Sequence, residues 1–166
     1  WDNYRHKKES PENIYSFVEE CIKEVGTDSI YYISKKGGYF NPPELSTPEE
    51  IPYYYYDNQN HIPSKEQIES ELSLYVNEML FFCTQNFINF YEFNITQGKI
   101  NTKTIVQENQ VIFNVNYPIT IQKEKNSKII KSFENIKVPI KLGIIYEVIS
   151  EILEKQTGNN DLCLSC

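Results

Sequence analysis

Apolar residues recur at Ile14, Phe17, Val18, Cys21, Ile22 and Val25, the spacing of a helix that buries one face. Ser10 is placed to be its N-cap, Pro11 suits the first helical position, and Gly26 is the expected stop. The stretch TDSIYYISKKGG predicts a second, short helix capped by Thr27 and stopped by Gly37-Gly38, although its Ile and Tyr content also suits a strand. Pro42, Pro43 and Pro48 then deny YFNPPELSTPEE both ladder and helix bonds, so it reads as loop.

Residues 51–64, IPYYYYDNQNHIPS, combine strand-forming Tyr53, Tyr54, Tyr55 and Tyr56 with the turn chemistry of DNQN. They predict a short hairpin with two tyrosines facing inward and two outward. Ser64 and Gln67 form a capping box for the next helix, whose stripe is Ile68, Leu72, Tyr75, Val76, Met79 and Cys83.

From Phe90 the period changes to two. FYEFNI, KINTKTIV, QVIFNVNYPITIQ and IKVPIKL predict a meander of about four antiparallel strands, with turns at Gln97-Gly98, Glu108-Asn109 and KEKNSK. In the third, Val111, Phe113, Val115, Tyr117, Ile119 and Ile121 alternate with Asn114, Asn116, Thr120 and Gln122, giving one core face and one wet face. Pro118 and Pro139 belong at edges or bulges, where a missing donor is tolerated. A last helix presents Ile145, Val148, Ile149 and Ile152 and ends near Gly158. The class is therefore α+β: an antiparallel β-meander plus a short Tyr-rich hairpin, with helices packed on one face. Short turns between strands leave no βαβ crossover and exclude a Rossmann-type dinucleotide site.

Length and charge narrow the functions. The 166 residues make one domain, expected over 11–158, with a polar flexible segment over 1–10 and a Cys-containing segment over 159–166. The chain opens on Trp1 and closes on DLCLSC, so a signal or anchor is expected upstream and further sequence downstream. The net charge of −7 opposes phosphate neutralisation, and Arg5 is the single arginine, so no nucleic-acid partner is expected. No run of 18 apolar residues exists, so membrane association is expected only through the upstream segment.

Candidate chemistry is sparse. Cys21 and Cys83 each lie on a core-facing helix stripe, and two helices on one sheet face bring them within reach of each other. For an exported domain the expectation is a disulfide between them; two unlinked buried thiols are the alternative. Cys163 and Cys166 form C-x-x-C after a helix end, the wrong context for a redox motif, and lack local partners at zinc spacing. A structural disulfide, within the pair or to sequence beyond it, is expected instead. Neither a cofactor nor a metal is expected. His6 and His61 stand apart from any nucleophile motif and read as surface residues. Asn94-Ile95-Thr96 matches a glycosylation acceptor, but lies in a predicted strand. The hairpin tyrosines Tyr53, Tyr54, Tyr55 and Tyr56 are the candidate contact residues, the outward pair foremost, because tyrosine gives rigid contact area at low entropic cost.

The segments SFVEECIKEVGTDSIYYISKKGGYF, IPYYYYDNQNHIPSKEQIESELSLYVNEMLFFC, VIFNVNYPITI, VPIKLGIIYEVISEI and CLSC together resemble a family of uncharacterised proteins from small-genome archaea, nanoarchaeal in type. The resemblance implies an N-terminal hydrophobic anchor, an exported domain and further C-terminal sequence. It implies no activity. The expected function is a non-enzymatic binding or assembly domain, extracytoplasmic and membrane-anchored at the cell surface, with a protein or envelope partner and homo-oligomers as an option. The alternatives are an envelope hydrolase with converging carboxylates and a subunit of a pilin-like filament.

Overall fold

The computed structural model describes residues 10–158. Helix α1 runs unbroken over Pro11–Lys35, so the short helix expected after Gly26 is its continuation. Gly26 does not stop the helix, because its role is packing. A β-carbon there would stand 2.7 Å from the Phe113 ring, so the missing side chain is what lets helix and sheet approach. Thr27, expected as a cap, instead donates its hydroxyl to the Lys23 carbonyl one turn back, at 2.7 Å. The helix does end at Gly37-Gly38. Gly37 takes a φ of +63°, and the Gly38 N–H donates to the Ile33 carbonyl at 2.8 Å.

Strands β1 (Tyr55–Tyr56) and β2 (Gln59–Asn60) form the expected hairpin. Asp57 and Asn58 both have positive φ, giving the turn whose twist matches the flanking strands. Helix α2 (Lys65–Thr84) starts at Ser64, whose hydroxyl accepts from the Gln67 N–H at 3.2 Å. A 3-10 turn over Gln85–Phe90 follows, with Gln85, Asn86 and Phe87 in the left-handed region and Phe87 buried.

The remaining elements are β3 (Asn94–Gln97), β4 (Asn101–Val106), β5 (Val111–Lys123), β6 (Asn126–Val138) and α3 (Leu142–Gly158). All strand pairs are antiparallel, and β5 lies at the centre. One edge of β5 pairs with β6; β3 and β4 follow each other along the opposite edge, Asn94 facing Gln122 and Val106 facing Val111. The reversal expected at Gln97-Gly98 is therefore a bulge, where the Gly98 N–H donates to the Pro118 carbonyl at 2.7 Å. The chain passes it without turning, and the sheet is three ribbons wide.

Strand β6 begins at Asn126, well before the expected IKVPIKL segment, and the KEKNSK turn shrinks to Glu124-Lys125. Its buried residues are Ile130, Phe133, Ile136 and Val138. Register shifts against β5 spread them at intervals of three, three and two, which conceals the period of a strand. Pro118 sits at one of those shifts, within the central strand, and Pro139 lies just past the end of β6.

Helices α1 and α2 cover the inner face of the sheet over a core that includes Ile14, Ile22, Leu72, Leu80, Phe113 and Phe133. The Cys21–Cys83 disulfide fastens the two helices, its Cα atoms 5.7 Å apart. Helix α2 also seals the outer edge of β4. Glu69, Ser73 and Asn77 accept from the backbone N–H groups of Val106, Thr104 and Thr102 at 2.8, 3.1 and 2.8 Å. Four helix residues rise about 6 Å and two strand residues about 6.8 Å, so the two periods keep step over three bonds. Helix α3 behaves differently: Leu142 is buried, but the stripe of Ile145, Val148, Ile149 and Ile152 stays at the surface.

Candidate functional site

The tyrosine hairpin is attached to the end of α1 by its second ring. Tyr54 is half-buried, and its hydroxyl donates to the Gly37 carbonyl at 2.7 Å. Burial pushes that hydroxyl above the usual tyrosine range, so it remains a protonated donor. Tyr56, also half-buried, stacks on His61 with ring centroids 3.8 Å apart and planes 8° from parallel. The His61 N–H closes the hairpin on the Tyr54 carbonyl at 2.7 Å. Tyr53 and Tyr55 point outward, 49% and 46% exposed, in the expected alternation.

The structure does not gather the four tyrosines into one surface. Tyr53 and Tyr56 join Tyr39, Pro43, His61 and Gln67 around a recess of about 270 Å³. Tyr54 lines a separate groove between the end of α1 and α3, and Tyr55 lines neither. Two members of the recess lay outside the sequence expectation. His61, read as a surface residue, is held half-buried by its stack on Tyr56, and its Nε2 is buried with no hydrogen-bond partner among the described residues. Tyr39 comes from the loop after α1, which the sequence marks only by its prolines.

That loop is held by one buried carboxylate. Glu71 accepts from the backbone N–H groups of Phe40 at 2.9 Å and Asn41 at 3.3 Å, and from the Gln67 side chain at 2.8 Å. Burial, then Glu71 and Tyr56, raise the Tyr39 hydroxyl above its ordinary value. The recess thus has ring walls and a Tyr39 hydroxyl that stays protonated, backed by an imidazole whose buried Nε2 has no partner among the described residues. This is equipment for stacking and hydrogen bonding.

A second recess, about 420 Å³, lies beside the disulfide. Glu20, Glu24 and Asp28 of α1 form one wall, with Met79 and Phe82 of α2 opposite. The three acids are exposed and follow a single helix ridge. Glycoside hydrolysis needs two carboxyl groups flanking a bond, one kept protonated by its surroundings. Here the acids share one side.

Asn94 is exposed on β3, where its amide donates to the Gln122 side chain at 3.4 Å. Cys163 and Cys166 lie outside the described residues. Among the described residues no cluster of His, Cys, Asp or Glu is arranged to hold a metal, and no helix is long and apolar enough to cross a membrane. No protein family, curated protein or solved structure matches the chain.

Proposed function

We propose that the chain is a non-enzymatic binding domain of a membrane-anchored archaeal envelope protein, and that it grips an extended segment of a protein partner outside the cytoplasm. The observation that carries the reading is the recess walled by the rings of Tyr39, Tyr53, Tyr56 and His61 and bordered by Pro43 and Pro52. Stacked rings bordered by proline suit the side chains and carbonyls of an extended peptide, the mode used by aromatic grooves that take proline-rich strands. The Cys21–Cys83 bridge supports the compartment, since such bonds persist where the surroundings are oxidising. The resemblance to exported proteins of small-genome archaea belongs to the same reading.

A displayed library of random and proline-rich decapeptides, selected against the oxidised protein, tests it. The expected result is an enriched motif whose affinity falls at least tenfold, about 1.4 kcal/mol, in both Tyr53→Ala and His61→Ala. Tyr31→Ala, on exposed helix surface outside the recess, leaves it unchanged. No enrichment, or enrichment indifferent to both recess variants, overturns the reading. The envelope-hydrolase alternative draws on the acidic ridge beside the disulfide, and hydrolysis lost in Glu24→Gln would favour it.

A further inference from the structure

Helix α3 is held to the body by one flank. The Tyr146 hydroxyl donates to the Pro63 carbonyl at 3.2 Å, and Leu153 lines the groove against the end of α1. The next flank around the helix is apolar and, among the described residues, only half-covered: Ile144, Ile145, Val148, Ile149 and Ile152 are between 37% and 51% exposed, Ile145 and Ile149 also bordering that groove. At 3.6 residues per turn, Ile145, Val148, Ile149 and Ile152 make one continuous strip, with Glu147 and Glu154 on the opposite side of the helix. The geometry points to a self-association surface, on which a second copy of this chain lays its own α3 antiparallel to this one.

The order of residues in the strip is what selects a second copy. A two-fold axis passing midway between Val148 and Ile149 sets Ile145 of each copy against Ile152 of the other, and Val148 against Ile149. The strip reads the same from both ends, the self-complementarity that an isologous dimer requires. Each acidic row stays outside the seam, so pairing brings apolar side chains together without facing Glu147 or Glu154 of one copy to those of the other.

Area supports the same occupant. The four half-exposed aliphatic side chains of the strip present roughly 350 Å², so two copies remove up to roughly 700 Å² from those side chains, and the residues flanking them must add the rest of the ~1,200 Å² of a small specific interface. A lipid surface is the poorer fit. Interfacial helices favour a basic polar face, whereas α3 carries Glu147, Glu151 and Glu154 against Lys155 alone, with Lys141 just ahead of it, on a chain of net charge −7.

Sedimentation equilibrium of the oxidised chain, from low micromolar to several hundred micromolar, tests the proposal. The wild type passes from monomer to dimer across that range, and Val148→Glu and Ile152→Lys each weaken dimerisation at least tenfold. Their circular dichroism and melting temperature stay at wild-type values, because both side chains are half-exposed in the monomer. The two variants differ in the sign of the added charge, so a shared loss reports the seam and not net charge. A wild type that remains monomeric throughout, or variants that dimerise as well as it does, overturns the proposal. So does flotation with vesicles of three parts phosphatidylcholine to one part phosphatidylglycerol, if monomeric protein binds them and Val148→Glu does not.

Discussion

Gly26 of α1 lies flat against the ring of Phe113 in β5, where a β-carbon would stand 2.7 Å from the ring edge. Alanine at this position gains up to about 1 kcal/mol of helix propensity, but it forces the ring or the helix aside at a cost of about 1–3 kcal/mol. Gly26→Ala is therefore expected to lower stability by up to about 2 kcal/mol in urea denaturation. The double variant with Phe113→Leu is expected to fall short of the sum of the single losses, because the smaller side chain makes room for the methyl group. Strict additivity would show that the two residues do not press on each other.

The Cys21–Cys83 bond closes a loop between residues 62 positions apart, on helices that already touch. On loop-closure entropy it contributes about 4 kcal/mol. Cys21→Ala with Cys83→Ala is expected to lose stability on that order, and a reducing agent is expected to lower the melting temperature of the wild type but not of the double variant. Peptide mapping without reduction checks the pairing directly.

Tyr54→Phe removes the hydroxyl that donates to Gly37 and keeps the ring. The expected loss is about 1 kcal/mol, the ordinary net value of one such bond. Because the bond joins the hairpin to the end of α1, amide exchange at Tyr55 and Tyr56 is expected to quicken by more than that at Val115 in the core. Uniform quickening would show that the hydroxyl serves global stability alone.

Glu12, in the first turn of α1, accepts from the Lys128 ammonium of β6 at 2.7 Å. That bond, followed by its own backbone N–H and the Ser10 hydroxyl, lowers its pKa from 4.5 to about 2. Since the folded value lies below the unfolded one, the contribution is complete above about pH 4.5 and disappears as the pH falls toward 2. The melting temperature of Glu12→Gln is expected to lie slightly below that of the wild type at neutral pH, with the gap closing over this window. A gap that persists at pH 2 would assign the effect to something other than the carboxylate charge. Both side chains are well exposed, so the effect is small and shrinks with added salt.

How much of this was legible beforehand depended on how regular each element is. The stripes of α1 and α2, the in-and-out tyrosines and β5 follow clean periods, so the class and the helix pairing could be read directly, and with them the nearness of Cys21 to Cys83, though not whether the thiols are joined. Gly26 misled because the same residue serves as a helix stop and as a gap for a ring, and only the position of Phe113 decides which. Strand β6 hid behind its bulges, and Gly98 resembled a turn because a turn and a bulge both draw on glycine. His61 and Tyr39 entered the recess through contacts between segments far apart in sequence, which no local pattern records. The exposed stripe of α3 was visible as a helix face, but sequence could not show that the core leaves it uncovered.

Glu69, Ser73 and Asn77 have a consequence for how this molecule keeps company. By occupying the N–H groups of Thr102, Thr104 and Val106 they deny incoming strands the β4 stretch of that edge, while the far margin, β6, is roughened by a bulge near Asn135 and studded with Lys128, Lys131 and Lys137. Backbone-to-backbone knitting of fibres is discouraged along β4 and β6. An assembly held by side chains instead, such as a pair joined through α3, can be taken apart again by dilution.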